Sequence, residues 1–546
     1  MKHLVFYSII AIFLLPLFSC KQTKRVDLII KDATIYTLDK NFSKASAIII
    51  DEGKIVDVGG DALLQFYQSD SVVSAKGQFV YPGFMDAHCH FSGYAMDQYK
   101  LNLYGVKSYQ TMVDSIVAYA KTNKREWIEG RLWNEQIWDI KDFPTKDTLD
   151  KLFPNTPILL MRIDGHAVLC NQKALDIAGI TSQTKIENGS IQNRNGKLTG
   201  ILIDKAVDLV KSHIPKLTYE EALPYFLETQ TLFYENGLTS FVDCGLENET
   251  VQWMKKAYDD AKLNIRASVM LLDSKENLDQ YLSQSPLRTD RFHIIGFKVF
   301  ADGSLGSHGA FMLDDYEDMH NHHGYLLKSI DSIAIIAEQV YQSKYQLNIH
   351  AIGDAANREV LKVYASVLNP QNDRRWRIEH AQVVHPDDFH YFEDNKIIPS
   401  VQPTHATSDM TWAEKRIGRK RLQTAYAYNQ LLQTNKWLPL GTDFPVENLN
   451  PLHTFYAAVF RQDAKLHPVG GFQIENALSR EEALRGITIW AAQSVFEEDV
   501  KGSLEKGKFA DFVILPIDLM KANPSEIYEA KIHSLFIHGN KAYPKN

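Results

Sequence analysis

Between residues 80 and 441, short apolar runs alternate with amphipathic helical stretches, and no other feature constrains the fold of this 546-residue chain so tightly. Apolar runs bounded by turn residues read as buried strands, and a helix between successive runs supplies the crossover that parallel strands need. The candidate strands are Val80–Asp86, Ile158–Arg162, Ser240–Asp243, Ala267–Leu271, Gly296–Phe300, Leu347–His350, Trp376–Glu379, Ile398–Gln402 and Leu438–Gly441. This pattern predicts an α/β fold, a (β/α)8 barrel of the TIM type. Nine candidates compete for eight places, so one belongs to an insertion. Ile158–Arg162 is assigned there, because about 150 residues separate the first candidate from Ser240–Asp243, far more than one crossover uses. Residues 95–220 are therefore expected to form an insertion that caps the barrel mouth and takes part in substrate selection.

The two ends of the chain differ from this middle. Val26–Ile30, Thr34–Thr37, Ala47–Ile50, Lys54–Val58, Ser71–Ser74 and Phe79–Val80 are short β-like runs with turns between them, and Ala510–Leu515 and Ser534–Asn540 echo them. A small β-sandwich domain built from both termini is expected, over 26–81 and 500–546, around a barrel spanning 82–499. Ahead of it, Met1-Lys2-His3 precedes an apolar stretch, Leu4–Phe18, which ends in Leu-Phe-Ser-Cys at Cys20 and is followed by polar residues. The stretch is too short for a comfortable membrane span and has the layout of a removed signal peptide over 1–20. Its end resembles the lipobox of bacterial lipoproteins, which implies lipidation at Cys20, membrane attachment through that anchor and a periplasm-facing protein. Cys89, Cys170 and Cys244 remain, an odd and irregularly spaced set that implies no disulfide framework. A net charge of −8 and a pI near 6.2 exclude a phosphate-backbone partner. No glycine-rich dinucleotide fingerprint follows a first strand, so an oxidoreductase finds no support.

Candidate chemistry begins at PGFMDAHCHF, where His88 and His90 stand two residues apart. On a strand, positions i and i+2 share a face, so both imidazoles converge while Cys89 points into a core. Lys298, His350, His380 and Asp443 lie at or just past the ends of four further candidate strands. Catalytic groups of α/β barrels gather at the C-terminal ends of strands, which places these six at one mouth. Four imidazoles, a carboxylate and a lysine can hold one or two divalent metals.

The order HxH, Lys, His, His, Asp resembles the metal-dependent amidohydrolase superfamily. PGFMDAHCHF, KVFADGSLGSHGA, HAIGDAA, RIEHAQ, VQPTHATSD and GTDFPV resemble its YtcJ-like branch, which includes N-substituted formamide deformylase, and the likeness runs through the whole chain after residue 25. The resemblance implies that His88, His90, His350 and His380 are metal ligands and that Lys298 is a lysine often carboxylated to a bridging carbamate. It also implies that Asp443 is the acid that both binds metal and moves the proton. Zinc, as one or two ions, is the implied metal. A small-molecule substrate with an amide or N-formyl C–N bond, other than a peptide bond, is the implied partner.

Five further residues are candidates for substrate contact. His405 is placed to bind substrate or a developing oxyanion, or else to hydrogen-bond at a helix entry. Asp302 and His308 either orient the ligands or hold their own glycine-rich loop. His166, with Asp164 and Gly165, either projects from the insertion toward substrate or packs within it. Trp412 lines the pocket or belongs to the core. His320, His322 and His323 read as a solvated loop. Two rivals stand beside C–N hydrolysis: cleavage of a lactone, phosphoester or cyclic amidine at the same site, and an inactive lipoprotein binding module. All six metal-site positions are present, which weighs against the module. Oligomeric state is not encoded in any of these features.

Overall fold

A computed structural model describes residues 23–544 apart from 164–165 and 188, so Cys20 and the signal segment lie outside the described residues. Seven parallel strands follow one another in a single sheet: Phe84–Cys89, Leu238–Leu246, Arg266–Leu272, Phe292–Phe300, Gln346–Ala351, Arg377–His380 and Ile398–Ser400. Nearly every residue of these strands is buried, because helices cover the outside while side chains fill the inside. The sheet curls into an almost closed barrel whose gap is bridged by residues 439–443. There the Gly441 N–H donates to the Val401 carbonyl at 3.0 Å, and the N–H groups of Ala87 and Asp443 tie the segment to the first strand. Gly441 is required at this crossing, since a Cβ would lie 2.6 Å from the His88 backbone nitrogen.

One end of the barrel is plugged. Met85, Val242, Met270 and Ile295 pack with Ala491, Ala492 and Val495 in one apolar cluster. Openings for a small molecule therefore belong to the other end, where the strands finish and the polar residues begin.

The first strand departs from the run Val80–Asp86 expected for it. Phe79–Pro82 pairs instead with Phe512–Leu515 and Thr34–Tyr36, and the barrel strand starts at Phe84. Gly83 forms the joint, where a Cβ would meet Thr239 at 2.3 Å. Strands from both ends of the chain thus share one six-stranded sheet. A second, four-stranded sheet comes from the N-terminal part, and residues of both sheets, among them Ile30, Ile48, Ile50, Phe512 and Phe536, share one apolar cluster.

Ile158–Arg162 lies in a separate six-stranded sheet built wholly between Leu101 and Asp204. Alternation along this sheet sends Ile158 and Leu160 to one apolar cluster and Leu159 to another, so both of its faces are covered. Among the described residues, no helix is long and apolar enough to cross a membrane.

Candidate metal and hydrolytic site

The first strand shows how the site is aimed. Its register against the second strand slips between Asp86 and Cys89, a bulge that breaks simple alternation. Cys89 turns outward into the main core, and the strand ends there. His90 is therefore not a strand residue, as simple alternation expects, but the cap position of the helix Phe91–Gln98. The two rings still converge: His90 Nε2 is 3.1 Å and His88 Nε2 3.5 Å from Asp443 Oδ1. Asp443 reaches this point because the bridging segment lies against the first strand, and its backbone takes φ 60.

Lys298, His350, His380 and His405 line the same cavity, of about 380 Å3, with His88, His90 and Asp443. The rings of His350 and His380 meet edge-on at 4.5 Å, and His405 stacks over His380 at 5.8 Å with Nε2 3.5 Å from Asp443 Oδ2. Two ligand sets follow from these distances, His88/His90/Asp443 and His380/His405/Asp443. His405 thus stands closer to the metal-capable group than a substrate-contact reading alone implies.

Protonation favours ligation. Burial, aided by the Lys298 charge, pushes His88 down to about 4 and His350 to about 3, while burial and His350 take His380 well below the ordinary imidazole range. Those rings are neutral at pH 7, with a lone pair free on one nitrogen. Burial works to raise the Asp443 carboxyl, but His405, His90 and the neighbouring rings hold it well below the usual carboxylate range. It is an anion, and against burial it raises in turn the pKa of His90 and His405, the two rings it contacts.

Four buried polar atoms in this cavity have no hydrogen-bond partner: the Nε2 atoms of His88, His350 and His405, and Lys298 Nζ. Stranding so many in one place is costly, and a ligand arriving from solvent relieves it. Imidazoles with one carboxylate are a donor set that suits zinc and similar cations.

The chain matches the model of the amidohydrolase family over residues 71–543. It belongs to that family. It is 32% identical over 540 residues, 95% of this chain and 92% of the other, to Protein LONG AFTER FAR-RED 3 of Arabidopsis thaliana. It is 29% identical to the putative amidohydrolase YtcJ of Bacillus subtilis, over 94% and 98% of the two chains. To the N-substituted formamide deformylase of Arthrobacter pascens it is 24% identical, over 96% and 99%. An uncharacterized metal-dependent hydrolase from Pyrococcus horikoshii superposes with a TM-score of 0.77 at 26% identity, covering 91% of this chain and 99% of that one. The expected membership of the amidohydrolases, close to YtcJ and the deformylase, is thereby shown.

Other expected site residues fall elsewhere. Asp302 is fully buried and accepts the backbone N–H groups of Phe311, Ile352 and Gly353 at 2.8–3.0 Å, so it ties the glycine-rich loop to the fifth strand. Burial pushes its carboxyl up to about 7 despite those bonds, and it comes within 3.6 Å of His350 Nε2. His308 turns from the cavity to Asp318, 3.0 Å from Nε2, and does not line the site. His166 is largely exposed beside Asp204, at 2.9 Å, in the separate sheet. No described residue of 95–220 lines the cavity, so its wall is built by the barrel's own loops. Trp412 does line it. Of the histidine loop, His322 bonds the His308 carbonyl at 2.8 Å.

Sequence reasoning missed the residues that orient the rings. Glu379 is fully buried and accepts from His88 Nδ1 at 2.5 Å, which leaves Nε2 to face the cavity. Arg377 stands behind it, with Nε 2.7 Å from Glu379 Oε1. The Gln402 side-chain oxygen plays the same part for His380 Nδ1 at 2.8 Å. The one available signal was RIEH, in which alternation puts Arg377 and Glu379 on the same face.

Proposed function

We propose that this protein is a metal-dependent amidohydrolase that cleaves a C–N bond of amide or N-formyl type in a small molecule. The observation that carries the reading is the convergence of unpartnered buried nitrogens around an ionised Asp443 at the open end of the barrel. His88, His90, His350, His380 and Asp443 would hold a divalent cation, zinc by donor type, as one or two ions. A bound cation supplies acidity to a water molecule and polarises a carbonyl.

The chain's own residues do the rest. Asp443, with Oδ1 toward His88 and His90 and Oδ2 toward His405, accepts the proton of the attacking water and returns it to the departing nitrogen. An amine leaves poorly unless protonated, so the second transfer matters as much as the first. His405, beside the outer oxygen of Asp443, orients that carboxylate and faces the carbonyl oxygen of the substrate. Glu379 and Gln402 hold the ring tautomers. Lys298, buried with Nζ unpartnered, is best accommodated as a carbamate, which converts an uncompensated cation into an anionic ligand.

Three finer readings belong with this proposal. Residues 439–443 serve as the eighth strand of a (β/α)8 barrel spanning 82–499, and the two terminal sheets form a sandwich domain from 26–81 and 500–546. The protein is exported and lipid-anchored through Cys20, facing the periplasm; labelled fatty acid is expected in the wild type and not in Cys20→Ala. The reaction is tested by screening metal-loaded protein against N-formyl amines, N-acyl amino acids, dipeptides and lactones. Asp443→Asn is expected to cost at least ~100-fold in kcat on any C–N substrate found. Near-normal turnover in that variant would remove Asp443 from the proton-transfer role.

A further inference from the structure

We propose, resting on the hydrolase reading above, that the substrate carries a second, cationic group on its amine side and that Asp409 and Glu447 receive it at the cavity mouth. The class is N-formyl or N-acyl derivatives of diamines and related basic amines. Both carboxylates line the cavity that holds His405 and Asp443. Asp409 ends the helix Pro403–Asp409, four residues after His405 and so on the same helical face. Glu447 follows Asp443 by four residues in the loop that leaves the bridging segment.

The two acids are close and under-neutralised. Ser408 Oγ lies 2.5 Å from Glu447 Oε1 and 3.4 Å from Asp409 Oδ1, and a hydroxyl has one proton to share between them. Asp409 Oδ2 accepts from the Tyr426 hydroxyl at 2.8 Å and from Gln382 Nε2 at 3.1 Å, which fixes the carboxylate without neutralising it. Among the described residues neither acid forms an ion pair. Burial lifts the Asp409 carboxyl; His405 and the Tyr426 hydroxyl offset part of that lift, and the Glu447 charge adds to it, as expected for like charges facing one space.

The surroundings suit a cation with an apolar stem. Trp412 presents aromatic surface to the same cavity, and a cation is attracted to such a face; the Phe300 ring beside it is covered by Lys298 Nζ at 5.0 Å. Apart from the histidines, the basic group in the lining is Lys298, fully buried. Arg416, 5.9 Å beyond the Trp412 ring, is held by Asp318 and the Gly306 carbonyl. A substrate carboxylate would meet these two acids at the mouth, with His405 as the basic group beside them. That this space receives a ligand is marked by Lys298 Nζ, fully buried, without a hydrogen-bond partner and lining it.

The test compares N-formyl-1,4-diaminobutane, N-formyl-1-aminobutane and N-formyl-4-aminobutanoate, which match in chain length and differ in terminal charge. The metal-loaded enzyme is expected to prefer the diamine derivative over the neutral one by about tenfold in kcat/KM, mostly through KM, and to use the acid least. The preference should shrink with added salt and fall toward unity in Glu447→Gln and Asp409→Asn. Glu447→Gln, in a half-exposed loop, guards against misfolding of Asp409→Asn, whose carboxylate also holds Tyr426 and Gln382. Equal use of the diamine and neutral derivatives, or a preference untouched in both variants, overturns the assignment while leaving the hydrolase reading intact. If none of the three is cleaved, calorimetric titration with 1,4-diaminobutane and 1-aminobutane decides separately. Tighter diamine binding that both variants weaken supports the subsite, and equal or absent binding overturns it.

Discussion

Charged side chains are buried at both ends of this barrel, and the two ends treat them differently. Where the barrel meets the terminal sheets, Arg266 is 1% exposed and donates from Nε and Nη2 to the two oxygens of Asp511, at 2.6 and 3.2 Å. Beside it Lys501 Nζ lies 2.5 Å from Glu497 Oε2, which also accepts from Ser268. At the mouth, Lys298 is equally buried, yet its Nζ and three imidazole nitrogens stand without hydrogen-bond partners. Charge burial is expensive in both places. At the junction the chain compensates it internally and gains a rigid joint. At the mouth compensation is left to something that binds, which is what separates a functional site from a structural ion pair.

The comparison breaks most visibly at the junction. Asp511→Ala strands Arg266 and is expected to cost about 3–5 kcal/mol of unfolding free energy, read from denaturant titration. A loss under about 1 kcal/mol would show that this pair does not behave as a buried one. Next in size is Glu379→Gln, which weakens the acceptor on His88 Nδ1 and should lower metal affinity roughly 10–100-fold in a competition titration.

Acid tests the junction through its two carboxylates. The charge of Arg266 overcomes burial to hold the Asp511 carboxyl below its ordinary value, and Lys501 does the same for Glu497. The native state therefore binds fewer protons than the unfolded chain at mildly acid pH. The stability these groups contribute is fully present above the ordinary carboxylate range and is lost as pH falls below about 4, with a slope of up to about 1.4 kcal/mol per pH unit for each group. Asp511→Asn should flatten that acid limb in urea titrations between pH 3 and 6. The smallest effect belongs to the mouth: Lys298→Met in chelator-stripped protein should change stability by less than about 1 kcal/mol, or raise it, because no partner is stranded. A loss as large as that of Asp511→Ala would mean that Lys298 is compensated within the chain.

How much of this was legible in the sequence depends on whether a feature is local. Strand-end histidines and the terminal acid announce themselves through apolar periodicity, because a polar residue closing an apolar run is placed by the run itself. Glu379 and Gln402 act through partners on other strands, and partner choice is a tertiary property that no spacing reveals; Asp302 stands out in its glycine-rich loop, though the groups it binds do not. For His308 and His166 the sequence leaves two roles open, toward the mouth or within their own segments. Each is drawn to a nearby acid, Asp318 or Asp204, a partner that spacing does not reveal. The position of His90 just past its strand came from a one-residue bulge, which alternation cannot foresee. The 439–443 segment pairs too briefly to form a regular strand, yet its backbone bonds to Val401 and His88 bring Asp443 to the site.

The central claim is that the unpartnered groups at the mouth form a metal centre, and calorimetric titration of chelator-stripped protein with zinc tests it most directly. Saturable binding of one or two ions per chain is expected, with a raised melting temperature and loss of binding in His88→Ala/His90→Ala. A cooperatively melting wild-type protein that binds no zinc, or binds it equally well without those two histidines, would contradict it.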